Sequence, residues 1–123
     1  MILSAVSLWK KYKTDTPLNI EEWGVEETDG KILRIDGDKL PANAVFRFRQ
    51  EGDFILRFGG GGKTLKKFFN ERKIPVEKRQ YLPLIAEADG NEVYVVCGEE
   101  ISEKVKVTAD SRRILYIQTY EKI

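Results

Sequence analysis

Residues 44–71 read Ala44-Val-Phe-Arg-Phe-Arg-Gln-Glu-Gly-Asp-Phe-Ile-Leu-Arg-Phe-Gly-Gly-Gly-Gly-Lys-Thr-Leu-Lys-Lys-Phe-Phe-Asn-Glu71, and the spacing of apolar residues changes partway along them. As far as Arg49 the chain alternates. Phe46 and Phe48 fall on one face of a strand, and Val45, Arg47 and Arg49 on the other. Gly52-Asp53 marks a turn, and Phe54–Phe58 reads as a second short strand. Beyond the glycines 59–62 the period becomes helical: Thr64 to Glu71 places Leu65, Phe68 and Phe69 on one side and turns Lys66, Lys67 and Asn70 outward.

Working outward, the flanks return to strands. Ile74-Pro75 ends the helix, Pro75 opens a second short one through Gln80, and Pro83 stops it. Leu84–Glu87 and Val93–Cys97 flank Asp89-Gly90, a hairpin signal. Val105–Val107 and Ile114–Tyr120 alternate again, as strands do. Upstream, Ile32–Ile35 lies between Asp29-Gly30 and Asp36-Gly37 and reads as a strand closed by turns. The expected fold is α+β: mostly antiparallel β-strands with a short helical insert after a Gly-rich loop. No repeat or linker divides the 123 residues, so one domain over 1–123 is expected, with 45–120 as its core and 1–44 as N-terminal strands.

An apolar share of 41% with 11% aromatic residues is enough to fill a core. The absence of histidine removes Ser-His and Cys-His nucleophile pairs and His-based metal sites. The single cysteine, Cys97, excludes an intramolecular disulfide and suits a reducing cytoplasm. It falls in an apolar strand, where a cysteine acts as a small core residue. The run Met1–Trp9 is too short to span a membrane, and Lys10 and Lys11 follow it, the wrong order for a secretory signal. It reads as a buried strand or as a stub of something longer. Trp9 and Trp23 read as packing residues. The adjacent acids Glu21-Glu22, Glu26-Glu27 and Glu99-Glu100 read as solvated surface.

Charge is unevenly placed. The formal net charge is +1, yet residues 47–79 hold ten basic side chains against four acidic ones, a local +6 against −5 for the rest. A run of charge is often only a solvated face. Here Arg47 and Arg49 share a strand face, and Lys63, Lys66 and Lys67 surround a helix start behind four glycines. Such a helix start attracts phosphate oxygens. Gly62-Lys63-Thr64 invites a nucleotide-binding reading, but the phosphate loop needs a further glycine five residues earlier, where Arg57 stands. A flexible connection, or help in gripping a nucleic-acid backbone, fits better.

Arg47-Phe-Arg-Gln-Glu-Gly-Asp53 has the form R-x-R-x-x-G-D. A glycine loop follows, then Lys63-Thr-Leu-Lys-Lys-Phe-Phe69, Ile74-Pro75, Arg79 and Pro83, and after the hairpin Gly98 and Ile101. In this order, from about Arg47 to Val107, the set resembles the C-terminal domain of bacterial tRNA(Ile)-lysidine synthase. The resemblance implies a tRNA-recognition domain that grips the acceptor stem of isoleucine tRNA. A separate catalytic domain, with a glycine-serine pyrophosphate loop, uses ATP to attach lysine to an anticodon cytidine. Nothing in this chain resembles that loop. No catalytic residue, cofactor or metal is therefore expected here, and ATP is expected only at the catalytic domain. The implied partners are the tRNA and that catalytic domain, with no membrane.

Carried over by motif, the RNA-binding candidates are Arg47 and Arg49, Lys63 and Lys66, and Arg79. Lys67, Arg72 and Lys73 join them from the same basic run. Arg49, Lys63, Lys66 and Lys67 are the expected phosphate contacts. Arg47 and Arg79 stay open between RNA contact and a structural role paired with Asp53 or Glu77, while Gly52 and Asp53 form the turn. Two other classes remain as rivals: a protein-interaction module with a basic docking surface, and a small enzyme using Cys97.

Overall fold

A computed structural model describes residues 3–12 and 32–122, with side chains from 32 to 117. Its strands form two sheets. In the first, β1 (Leu3–Tyr12) and β2 (Ile32–Asp36) flank β9 (Arg113–Lys122), both antiparallel to it. Pairing of β1 with β9 runs from Leu3 opposite Lys122 to Tyr12 opposite Arg113. The second sheet has the order β3 (Ala44–Arg47), β6 (Leu84–Glu87), β7 (Glu92–Val96), β4 (Phe54–Leu56), β5 (Gly62–Thr64), and β8 (Glu100–Ile101) also pairs with β7. The β4–β7 pair is parallel and the others are antiparallel. The N-terminal apolar run thus forms β1 from Leu3 onward; its side chains, Trp23, the two N-terminal acidic pairs and Asp29-Gly30 lie outside the described residues.

The second sheet is apolar on both faces, and the strand sequences explain why. Along β6, Leu84 and Ala86 face one way and Ile85 the other. On β7 the register slips between Ile85 and Ala86, so Tyr94 is inserted as an extra residue. A bulge of this kind lets two neighbours point the same way. Tyr94 and Val95 accordingly join one cluster, while Val93 and Val96 join the opposite one. One face packs with Leu33, Ile35, Leu115 and Ile117 of the first sheet. The other packs against helix α1 (Leu65–Glu71) through Leu65, Phe68 and Phe69, with Ile55 and Ile74. The layers are therefore helix, sheet, sheet.

The helix has defined ends. Thr64 is its N-cap, and its hydroxyl accepts from the Lys67 amide at 3.3 Å. At the other end Ile74 N–H donates to the Phe69 carbonyl and Lys73 N–H to the Asn70 carbonyl. Those two bonds make a Schellman stop, whose left-handed residue is normally glycine. Here it is Lys73, at φ 55°. Helix α2 (Val76–Arg79) follows directly.

Three expectations change. The glycines do not lead into the helix; they turn the β4–β5 hairpin, with Gly59, Gly60 and Gly61 all at positive φ and open space around each. Phe54–Phe58 stops pairing at Leu56 because Arg57 enters that turn, bonded to Gly60 and Gly61. Val105–Val107 is not a strand. Ser102 caps a 3-10 turn at Glu103–Val105 that buries Val105 in the core between the two sheets.

Because a left-handed lysine costs about 1 kcal/mol that glycine does not, Lys73→Gly is expected to raise the melting temperature by roughly 3–5 °C. A thermal melt that falls instead would mean the Lys73 side chain stabilises the fold.

Candidate nucleic-acid interface

The R-x-R pair splits into one buried and one exposed arginine. Arg47 ends β3 and points to the helix side of the sheet, with its side chain only 10% exposed. Its Nη1 and Nη2 donate to the two carboxylate oxygens of Asp53 at 2.9 and 3.0 Å. The remaining donors reach the carbonyls of Glu87, Phe48 and Gly90, each at 3.0 Å. All five guanidinium N–H groups are thus used. Asp53 is equally saturated: Gln50 N–H (2.8 Å) and Asn91 Nδ2 (3.0 Å) complete two donors on each oxygen. Gly52, at φ 90°, makes the turn that brings Asp53 back to Arg47. Burial opposes ionisation of Asp53, but the bonds from Arg47, Gln50 and Asn91 outweigh it and hold the carboxyl below its ordinary value. Of the two roles open to Arg47, the geometry supports the structural one.

Two residues on, Arg49 is exposed and its guanidinium lies 5.7 Å from the ring centre of Phe69. Arg79 approaches the same ring, also at 5.7 Å, and its Nε donates to the Ile74 carbonyl at 2.9 Å rather than to the Glu77 that the sequence offered. Phe69 itself is fully buried. It therefore gathers two arginines from distant parts of the chain onto one flank of α1. Lys66 precedes Phe69 by one helical turn and is exposed, as is Lys67. Lys73 stands exposed just past the helix end. Among the described residues no carboxylate is ion-paired with Arg49, Lys66, Lys67, Lys73 or Arg79.

The other flank of α1 is different. Lys63 is paired with Glu71. Arg72 lies 5.1 Å from the Phe68 ring and binds Glu100 at 2.7 Å. Both were sequence candidates for RNA contact, Lys63 for phosphate in particular, and both already hold a carboxylate. The Lys63 partnership, aided by Arg57 and Lys67, keeps the Glu71 carboxyl below its usual range. Nor is the helix start a phosphate cradle behind the glycines. Leu65 N–H donates to the Asp53 carbonyl and Lys67 N–H to Thr64, and β5 separates the glycine turn from the helix by about 10 Å of extended chain.

Cys97 is buried, and burial pushes its thiol up to about 12, so it is not a thiolate at neutral pH. Among the described residues no three acidic, cysteine or histidine side chains are grouped to hold a metal ion, and no helix is long and apolar enough to cross a membrane.

The profile of the TilS substrate C-terminal domain matches residues 44–118, more than half of the chain. The chain belongs to that family. It is 42% identical over 91 residues to the tRNA(Ile)-lysidine synthase of Clostridium tetani, covering 73% of this chain and 19% of that protein. With the same enzyme of Caldanaerobacter subterraneus subsp. tengcongensis it shares 40% over 88 residues, 71% of this chain and 18% of the relative. The chain thus spans about a fifth of the length of the curated relatives it matches. A crystal structure of a TilS C-terminal domain has the same sheet-dominated α+β fold, with a TM-score of 0.69 at 22% identity over 100% of this chain and 92% of that one.

Within this TilS C-terminal domain the residues behind the resemblance divide their work. Arg47, Gly52 and Asp53 brace the sheet; Arg49, Lys66, Lys67, Lys73 and Arg79 form a basic surface. Sequence reasoning missed Asn91, which followed the Asp89-Gly90 turn signal and read only as loop. It also missed Glu71 and Glu100 as the acids that divide the basic run.

Removing one partner of a buried, fully bonded pair leaves a stranded charge, so Arg47→Ala is expected to lose about 3–5 kcal/mol in urea unfolding. The stability supplied by Asp53 is complete above its unfolded value, about pH 4, and drains away as pH falls through the lower native one. Asp53→Asn should flatten part of that acid limb, and an unchanged limb would mean the carboxylate is not paired in the folded protein.

Proposed function

We propose that this domain is a non-catalytic tRNA-recognition module that holds the acceptor-stem end of isoleucine tRNA, while the rest of a longer enzyme performs the chemistry. The observation that carries this reading is the segregation of charge around α1. Glu71 and Glu100 are held on the Phe68 flank by Lys63 and Arg72, with Lys67 four residues before Glu71 and turned toward it, while among the described residues Arg49, Arg79, Lys66 and Lys73 have no ion-paired carboxylate. Cations held in place by a buried ring and a backbone carbonyl suit a fixed array of phosphates better than one flexible anion. Duplex RNA presents such an array and hides its base edges, so it is gripped by shape and backbone. The domain needs no cofactor for this; ATP use belongs to the catalytic domain, in the cytoplasm where tRNA is modified.

That catalytic domain is the second partner we propose. Phe46 and Phe48, 50% and 54% exposed on and just beyond the outer strand β3, offer it an apolar contact.

With about four phosphate contacts, the log–log dependence of affinity on salt should have a slope of roughly −3 to −4 on duplex RNA. Lys66→Ala with Lys67→Ala should make it shallower by about 1.5–2 without lowering the melting temperature. Fluorescence anisotropy across a salt series measures both. An unchanged slope in the double variant would remove α1 from the interface.

A further inference from the structure

On the Phe68 flank of α1 the β4–β5 hairpin, the helix and β8 enclose a cleft of about 230 Å³. It is smaller than pockets for drug-sized ligands, roughly 300–1,000 Å³, and so suited to one base rather than a stacked pair. Ile55, Phe68 and Ile101 give it an apolar floor, and Arg57, Lys63, Arg72, Glu71 and Glu100 surround it. The lining charges leave a net +1, the complement of a single phosphodiester.

We infer that this cleft takes one unstacked guanine nucleotide. Arg72 supplies the surface for the base. Its guanidinium is backed on one side by Phe68 at 5.1 Å and anchored by Glu100 at 2.7 Å, so its plane is fixed, while its side chain remains 39% exposed toward the cleft. A fixed guanidinium plane is a stacking platform for a base that has left its helix. Beside it stand carboxylates, which are acceptors only. Glu100 also caps Ile101 N–H at 3.1 Å and is thereby oriented, and Glu71 is held ionised by Lys63. Guanine is the base whose Watson–Crick edge offers adjacent N1–H and N2–H donors to such a carboxylate; adenine and cytosine offer a single amine. Arg57, on the hairpin turn, stands where the nucleotide's phosphate would leave the cleft. The inference deepens the tRNA-binding reading and rests on it: a guanosine next to the gripped duplex would seat here while the Phe69 flank holds the backbone.

The test uses the full chain, isotopically labelled, titrated with GMP, AMP, a blunt RNA duplex and the same duplex with one overhanging guanosine. GMP should shift the amide signals of Phe58, Lys63 and Ile101 and bind at least fivefold tighter than AMP. The overhang should raise duplex affinity at least threefold. Glu100→Gln should abolish both preferences without weakening the blunt duplex. If the blunt duplex binds but neither GMP nor the overhang moves these signals, or if GMP and AMP bind equally, the cleft proposal falls and the tRNA reading stands. If GMP shifts the cleft while the blunt duplex does not bind, the cleft is a site for free nucleotide and the tRNA reading falls.

Discussion

The buried pair of Arg47 and Asp53 ties β3, the turn before β4 and the β6–β7 hairpin of the second sheet together. Ten hydrogen-bonding positions, five N–H donors and the carboxylate and carbonyl oxygens facing them, are arranged so that none is wasted. The pair joins the end of β3 to the turn at Gln50–Asp53, and both to the β6–β7 hairpin at Glu87, Gly90 and Asn91. Asp53 then passes the constraint on, since its carbonyl accepts the first amide of α1. A buried ion pair need not outdo an apolar pair of the same shape. What it adds here is direction: only one arrangement of strand, turn and hairpin satisfies both side chains.

That constraint decides where the surface charge goes. With Arg47 turned in, Arg49 emerges two residues later beside Phe69, and the same ring receives Arg79 from α2. Phe68, its neighbour on the helix, receives Arg72. Two adjacent phenylalanines thus set up two unlike flanks. Among the described residues, one carries cations free of ion-paired carboxylates, the other cations already matched with Glu71 and Glu100. The first suits a run of phosphates; the second suits a single nucleotide with donors of its own.

Much of the architecture was legible because it is written locally. The apolar cluster at Ile32–Ile35 before Asp36-Gly37, the Asp89-Gly90 turn and the spacing of Leu65, Phe68 and Phe69 each predicted the element that forms. The family likeness was legible too, since its motif residues lie close together in order. What was not legible depends on distant partners. The sequence leaves Arg47 open between RNA contact and pairing with Asp53, and the carbonyls 40 and 43 residues away that complete its bonding cannot be read from it. Lys63 and Lys66 look alike until Glu71 closes on one of them. The glycine tract suggested a phosphate loop because strand, glycines and helix occur in that order, and the intervening β5 is only three residues long. The bulge at Tyr94 also escaped notice, since five consecutive apolar residues carry no period to reveal which two share a face.

In the proposed function the Phe69 flank of α1, and not the rest of the surface, meets RNA. The most direct measurement is an amide chemical-shift map of the chain with an acceptor-stem duplex of isoleucine tRNA at low salt. The shifts are expected to concentrate at Arg49, Lys66, Asn70, Lys73 and Arg79, with the first sheet unmoved. Shifts gathered on β1, β2 and β9, or none at all, would contradict it.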